Sequence, residues 1–330
     1  MESLKKYQSY INKELLARIN SPQYQNPKGL YEPCAYILEN GGKRVRASLV
    51  LMVSKMFSGN YNNAISVALA FETFHNFTLI HDDIMDGALI RRGQETVHVK
   101  WDVNTAILSG DAVMILAYKF FQESELHVPQ LFNLLNTTAL EVCEGQQYDI
   151  DLEHMSLSDS IVTQEQYITM IELKTSVLIA ACLKAGAIIG GASEEDSDLL
   201  YEFGRHVGIA FQLQDDLLDS FGNVNTFGKK IGGDILENKK TFLVIKALQN
   251  LSDSDAQLLV DLYSKKNIDS EEKISSVLHL FAKAGVKEET EKIVQEYFDK
   301  AEKYLENLSL PFEHKQELYA FQRDLKMRAF

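Results

Sequence analysis

The sequence predicts an all-α protein, on three observations. Only five prolines occur in 330 residues, and between Pro33 and Pro311 the interior holds one, Pro129. Apolar residues recur three and four positions apart along most of the chain, the period of a helix. Hairpin signals are scarce: Asp86-Gly87 is one, and no alternating strands flank it. No composition shift or low-complexity segment marks a linker, so residues 1–330 read as a single domain.

Residues 1–20 form a first amphipathic helix through Leu4, Tyr7, Ile11, Leu15 and Ile19, and residues 21–28 a loop. Gly41-Gly42 then stops one helix, and Lys43, Arg44 and Arg46 open the next, which runs to about Phe57. Basic residues at a helix start oppose its macrodipole. Glycine beside them suits either a bound anion or a solvated basic turn, and both readings stand at this point. Residues 64–86 are apolar on nearly every face, which makes the exceptions Glu72, His75, Asn76, Thr78 and His81 informative. His75 lies about two helical turns before Asp82 and so shares its face. Helices follow at roughly 104–125, 130–152 and 163–190. In the last, Lys174-Thr175 interrupts an apolar run, with the lysine either snorkelling to the surface or lining a cavity and holding an anion. Residues 197–219, 255–285 and 288–308 continue the helical pattern.

Two of these helices end in the same acidic pattern, Asp82-Asp83-Ile84-Met85-Asp86 and Asp215-Asp216-Leu217-Leu218-Asp219. In a helix Asp82 and Asp86 point one way, and so do Asp215 and Asp219. Two such faces aimed at one cavity crowd carboxylates that repel unless hard cations sit between them. That predicts Mg²⁺, which is commonly held by a few carboxylates and completed by substrate phosphates. Each cluster is followed by a Gly-containing basic loop: Gly87 to Gly93 with Arg91 and Arg92, then Phe227 to Asp234 with Lys229 and Lys230, followed by Lys239-Lys240-Thr241. Arginine grips phosphate with a planar fork; the alternative, a surface loop whose arginines pair with the acidic cluster, is weakened by the recurrence of the arrangement.

Composition narrows the partners. The net charge of -14 argues against nucleic acid. Cys34, Cys143 and Cys182 are far apart and read as reduced core thiols of a cytoplasmic protein. No apolar leader is visible at residues 1–20, and no run of about 18 apolar residues suggests a membrane span.

The ordered motifs Gly-Gly-Lys-Arg-x-Arg, His-Asp-Asp-Ile-Met-Asp, Arg-Arg-Gly, Lys-Thr, Gln-x-x-Asp-Asp-x-x-Asp, and Gly-Lys followed by Gly-Asp-x-x-x-x-Lys resemble those of the trans-isoprenyl diphosphate synthases, the polyprenyl synthetase family, over roughly residues 30–330. The resemblance implies a helical bundle around a deep central cavity, acting as a cytoplasmic homodimer. It implies that isopentenyl diphosphate attacks an allylic diphosphate (dimethylallyl, geranyl or farnesyl) after ionisation, with three Mg²⁺ ions per site. By that resemblance Asp82, Asp83, Asp86, Asp215 and Asp219 hold Mg²⁺, with Asp216 in a second line. Arg91, Lys174, Lys229 and Lys239 meet the allylic diphosphate. Lys43, Arg46, His75 and Arg92 bind isopentenyl diphosphate. Lys174, Thr175 and Gln212 lie at the reacting carbon and its leaving oxygen. Phe74, Phe77 and Thr78 form the floor that limits the tail, which suggests a product of fifteen to twenty carbons, farnesyl or geranylgeranyl diphosphate. A class I terpene cyclase and a non-catalytic regulatory partner of a synthase are the competing readings. The first needs no site for isopentenyl diphosphate, and the second usually loses aspartates that are all present here.

Overall fold

Apolar spacing at the helical period and a nearly proline-free interior leave the chain little alternative to helix. The computed structural model describes residues 2–157, 162–222, 231–265 and 268–327. It is 81% helical, and among the described residues strand is confined to one two-stranded ladder, so the all-α expectation holds. In chain order the elements are α1 (Lys5–Ile19), α2 (Lys28–Glu39), α3 (Val45–Ser58), α4 (Ile65–Met85), β1 (Ile90–Arg91), β2 (Gln94–Glu95), α5 (Val97–Lys100), α6 (Val103–Phe121), α7 (Val128–His154) and α8 (Gln164–Ile171). A π-helical turn (Glu172–Ser176) leads into α9 (Val177–Gly190) and α10 (Glu194–Phe221). Then come α11 (Gly233–Leu236), α12 (Phe242–Asn250), α13 (Asp253–Ser264), α14 (Ser270–Ala284), α15 (Val286–Glu306) and α16 (Phe312–Lys326).

The chain divides into two compact units. Met1–Leu135, Ala181–Asp198 and Ser309–Phe321 make the first; Asn136–Ala180, Leu199–Leu308 and Gln322–Phe330 make the second. In the first unit α4 is the central element. It is apolar on nearly every face, buries most of its residues, and packs most extensively on α6, then on α3, α1 and α2. In the second unit α12 buries Phe242, Leu243, Val244, Ile245 and Ala247 and packs on α8, α13, α14 and α15.

Two departures from the sequence reading have local causes. The stretch 255–285, expected as one helix, is two, because the Asp269 carboxylate accepts from the amides of Glu271 and Glu272 and so starts a fresh helix at Ser270. The run Gln164–Gly190 is long and apolar enough to cross a membrane by length and composition, although no such stretch was expected. Its most apolar window is 72% buried within the protein, the setting of a core helix.

Candidate active site

In the first unit α4 delivers Asp82 and Asp83 on its last turn, and Asp86 caps it. The Asp86 amide donates to the Asp82 carbonyl at 2.9 Å, so the helical stacking of Asp82 over Asp86 persists through the cap. Asp86 is exposed and Asp82 half-buried, whereas Asp83 is only 1% exposed. Arg91 Nε donates to Asp83 Oδ1 at 2.6 Å, and Arg91 Nη2 lies 3.5 Å from Asp82 Oδ2. Burial raises the Asp83 pKa, and Arg91 pulls it the other way. Asp83 Oδ2 is buried with no hydrogen-bond partner among the described residues. Carboxylates at a helix C-terminus also meet the negative end of the dipole.

The two adjacent arginines part because the loop after α4 is a tight hairpin. Ile90 pairs with Glu95 and Arg91 with Gln94. The two turn residues, Arg92 and Gly93, both take positive φ (54° and 79°), as a two-residue type I′ turn requires. Arg91 therefore reaches the aspartates while Arg92 Nη1 donates to the Gly41 carbonyl. The Arg92 guanidinium lies directly over Gly42, where a Cβ would come within 2.8 Å of Cζ. That close approach, with a φ of +124°, is why glycine stands at 42.

Behind Gly42 lies a cationic recess. Arg44, the residue that starts α3, is itself left-handed (φ 43°) and almost wholly buried. It donates to Asn12 Oδ1 at 2.8 Å and to the Leu38 carbonyl, and it pairs with Glu72 at 3.4 Å. Arg46 Nη1 lies 3.0 Å from His75 Nε2. Burial, then Arg46, Arg92, Arg91 and Arg44, hold the His75 pKa well below its ordinary value. The ring is thus neutral, and its Nε2 accepts from Arg46. Burial also lowers the pKa of Arg46 and of Arg92, with Glu72 opposing it in both cases. Yet Arg46 and His75 keep partial surface and Arg92 is exposed. Groups that feel the mass of the protein while still meeting solvent line a concavity. Lys43 is exposed on the loop between Gly42 and Arg44.

In the second unit the π-helical turn sits where Lys174-Thr175 breaks the apolar run. An extra residue in a helical turn re-aims the side chains around it, and such bulges recur at functional sites. The turn packs tightly on α7 at Gly145, whose Cβ would fall 2.6 Å from the Leu173 carbonyl carbon. Lys174 Nζ pairs with Asp149 Oδ2 at 2.5 Å, and Thr175 Oγ1 donates to Gln212 Oε1 at 3.5 Å. Further along α10, Asp215 and Asp219 are half-buried. Asp219 Oδ2 accepts from the Asp234 amide at 3.0 Å, which ties the start of α11 onto the cluster. Asp216 turns inward: it is 3% exposed and accepts from Tyr167 Oη at 2.6 Å. Burial, then the charge of Asp234, push its pKa well above the carboxylate range. Lys239 is exposed and pairs with Glu237 at 2.9 Å and Asp234 at 3.8 Å. Lys229 lies outside the described residues.

Residues 27–281 match the family model described as polyprenyl synthetase. The chain belongs to the polyprenyl synthetase family. It is similar to geranylgeranyl diphosphate synthase of Methanosarcina mazei, 42% identical over 226 residues that make up 68% of each chain. It is also similar to a short chain isoprenyl diphosphate synthase of Methanothermobacter thermautotrophicus, 35% identical over 93% of this chain and 92% of the relative. Among solved structures, a geranylgeranyl pyrophosphate synthase matches with a TM-score of 0.91 at 44% identity, over 99% of both chains. The geranylgeranyl pyrophosphate synthetase of Pyrococcus horikoshii Ot3 matches with a TM-score of 0.90 at 33% identity, over 98% of this chain and 96% of the other. The protein is a trans-prenyltransferase with the helical architecture of those synthases.

Enzymes of this family generally use Mg²⁺. Among the described residues no three His, Cys, Asp or Glu side chains form a group that could hold a metal ion by themselves. Each cluster offers hard carboxylate oxygens on one helix face, a donor set that suits a cation completed by phosphate and water. The buried Asp83 Oδ2 adds an acceptor still to be satisfied. The residues present fit Mg²⁺ in that sense.

The synthetase's expected tail floor also lies on α4. Phe74 is buried, and its ring centroid is 5.6 Å from that of the half-buried Phe77, with Thr78 half-buried beside them. Four residues that organise the site carried no assigned role in the sequence reading. Glu72 gave a signal, an acid inside an apolar helix, and proves to be the counter-ion of Arg44. Arg44 sat inside a stretch already singled out and Asp149 inside an expected helix, each without a partner to name. Tyr167 gave no signal, because its role depends wholly on meeting Asp216.

Proposed function

We propose that this synthetase, acting as a single domain over residues 1–330, condenses isopentenyl diphosphate with an allylic diphosphate to make geranylgeranyl diphosphate, with twenty carbons. The observation that carries the reading is the recess of Arg46, His75 and Arg92. It is a second anion site beside the acidic cluster, and a terpene cyclase has no use for one. Relatives named for geranylgeranyl diphosphate support the product length, as does the tilted Phe74–Phe77 ring pair of the floor.

Lys43, Arg46, Arg92 and the neutral His75 bind the diphosphate of isopentenyl diphosphate. Arg91, Lys174, Lys229 and Lys239 bind the allylic diphosphate, and Lys174, with Thr175 and Gln212, orients the carbon that ionises. Asp82 and Asp86, with Asp215 and Asp219, are the Mg²⁺ ligands. Asp83 joins these ligands through its unsatisfied Oδ2 while its Oδ1 on Arg91 holds the cluster in register, and Asp216, buried on Tyr167, holds the second cluster in register. Bound Mg²⁺, three ions per site, supplies Lewis-acid stabilisation of the leaving diphosphate. Lys174 and Arg91 stabilise charge growing on the same group. Apolar walls keep water from the allylic cation. The departing diphosphate takes the proton that the condensation releases.

The enzyme acts in the cytoplasm as a homodimer. On α6, Val103, Ile107, Leu108 and Ile115 are 44–60% exposed, and Phe132 of α7 is 44% exposed. This apolar surface suits a second copy of the chain. The functional test is incubation of the enzyme and Mg²⁺ with isopentenyl diphosphate and each of dimethylallyl, geranyl and farnesyl diphosphate, with product length measured. An all-trans product of twenty carbons is expected. Cyclised hydrocarbon from an allylic diphosphate alone, or no turnover by the folded protein, overturns the reading.

A further inference from the structure

Phe77 is held on both sides, and the second holder lies outside every subsite above. His81 follows it by one turn of α4, and the two rings meet edge to face with centroids 4.8 Å apart. The His81 Nε2 lies 3.3 Å from the Ile107 carbonyl on α6. A carbonyl oxygen only accepts, so Nε2 carries the proton and the polar edge of the ring is directed at α6. Asp111, 3.7 Å away on the same helix, reinforces that orientation. The opposite limit on the ring is backbone. Gly110 is buried, and a Cβ there would lie 2.6 Å from His81 Cδ2. The imidazole is thus wedged between the bare backbone of α6 and the Phe77 ring, while Phe74 backs Phe77 at 5.6 Å.

We propose that His81, seated against Gly110, is a specificity-determining positioning residue: it sets how far Phe77 closes the tail cavity and hence where chain elongation stops. This rests on Phe77 being the floor. Phe77 is half-buried between Phe74 and His81, and α4 and α6 pack too closely at Gly110 for the His81 ring to recede. The product limit is therefore shared between α4, which supplies the floor, and α6, which supplies the stop behind it.

The test compares product lengths of His81→Ala, His81→Phe, Gly110→Ala and Phe77→Ala enzymes, given isopentenyl diphosphate and farnesyl diphosphate. His81→Ala releases Phe77, and the fraction of products beyond twenty carbons rises roughly 2- to 10-fold, the scale of one edge-to-face aromatic contact. His81→Phe keeps a ring against Phe77 and restores the wild-type limit. Gly110→Ala leaves His81 in place and drives its ring toward Phe77, so products shorten; this variant carries the test if His81→Ala does not fold. The KM for isopentenyl diphosphate stays unchanged in the His81 and Gly110 variants, which general loosening of α4 would not permit. The proposal is overturned if His81→Ala keeps the wild-type limit while Phe77→Ala exceeds it, if His81→Phe behaves as His81→Ala, or if Gly110→Ala lengthens products. Should Phe77→Ala itself change nothing, the floor assignment falls and this proposal with it.

Discussion

The two Asp-Asp-x-x-Asp clusters are nearly identical as strings and are built differently. The first ends a helix, with Asp86 as its cap; the second lies inside α10, with the helix running on to Phe221. In both, the outer aspartates keep some surface and the middle one is buried. The difference is the partner of that middle residue. Asp83 meets a cation, Arg91, borne on a hairpin turn; Asp216 meets a neutral phenol, Tyr167. Asp83 lies two residues before the end of α4, where the hairpin that follows folds Arg91 back onto it, whereas Asp216 lies deeper in α10 and meets Tyr167 of α8. The same motif therefore anchors through charge in one unit and through a neutral hydrogen bond in the other.

The largest effect tests what the clusters share. Asp82→Ala and Asp215→Ala should each lower kcat by roughly 10³-fold while leaving the fold intact, because both remove an outward carboxylate that stabilises the leaving group through its cation. Steady-state assays with circular dichroism check this, and a variant with more than a tenth of wild-type turnover would remove its cluster from the metal site. Next, Arg92→Ala should raise the KM for isopentenyl diphosphate about 10- to 100-fold, the worth of a charged hydrogen bond, and move the allylic KM far less. Lys174→Ala should show the reverse ranking. Exchanged rankings would exchange the two subsites.

The middle aspartates separate the clusters. Asp83→Asn should cost about 1–3 kcal/mol in urea unfolding, since it takes the charge partner from Arg91, which is partly solvated and so loses less than a fully buried ion would. Asp216→Asn should cost less than about 1 kcal/mol, because an amide oxygen still accepts from Tyr167. Equal costs would erase the distinction between the anchors. The smallest effect is on pH dependence. His75 has a folded pKa well below the ordinary 6.5, so below that value the unfolded chain binds a proton that the folded one refuses. Its contribution to stability is complete above pH 6.5 and declines as the pH falls toward the folded value. Unfolding midpoints of His75→Gln should therefore fall less steeply than wild type between about pH 7 and pH 5. Parallel slopes would mean that His75 is charged in its recess.

Much of this was legible along the chain. Helical class, the stacking of Asp82 with Asp86, and the interruption at Lys174-Thr175 are local: each follows from residues within a turn or two, where backbone geometry fixes neighbours. The family match adds that these motifs belong to one enzyme. Tertiary structure alone decided which charge meets which. Tyr167 and Asp216, Arg44 and Glu72, and His81 and Gly110 are brought together by packing of separate helices, and no periodicity encodes such pairs. The opposed paths of Arg91 and Arg92 needed a hairpin turn with two positive φ values, one of them on an arginine, which side-chain preference alone does not announce. The sequence by itself determined the chemistry available, because residue types and short spacings are written in it. The structure decided how that chemistry is partnered, because burial and long-range contact set the charge state, the orientation and the reach of each group.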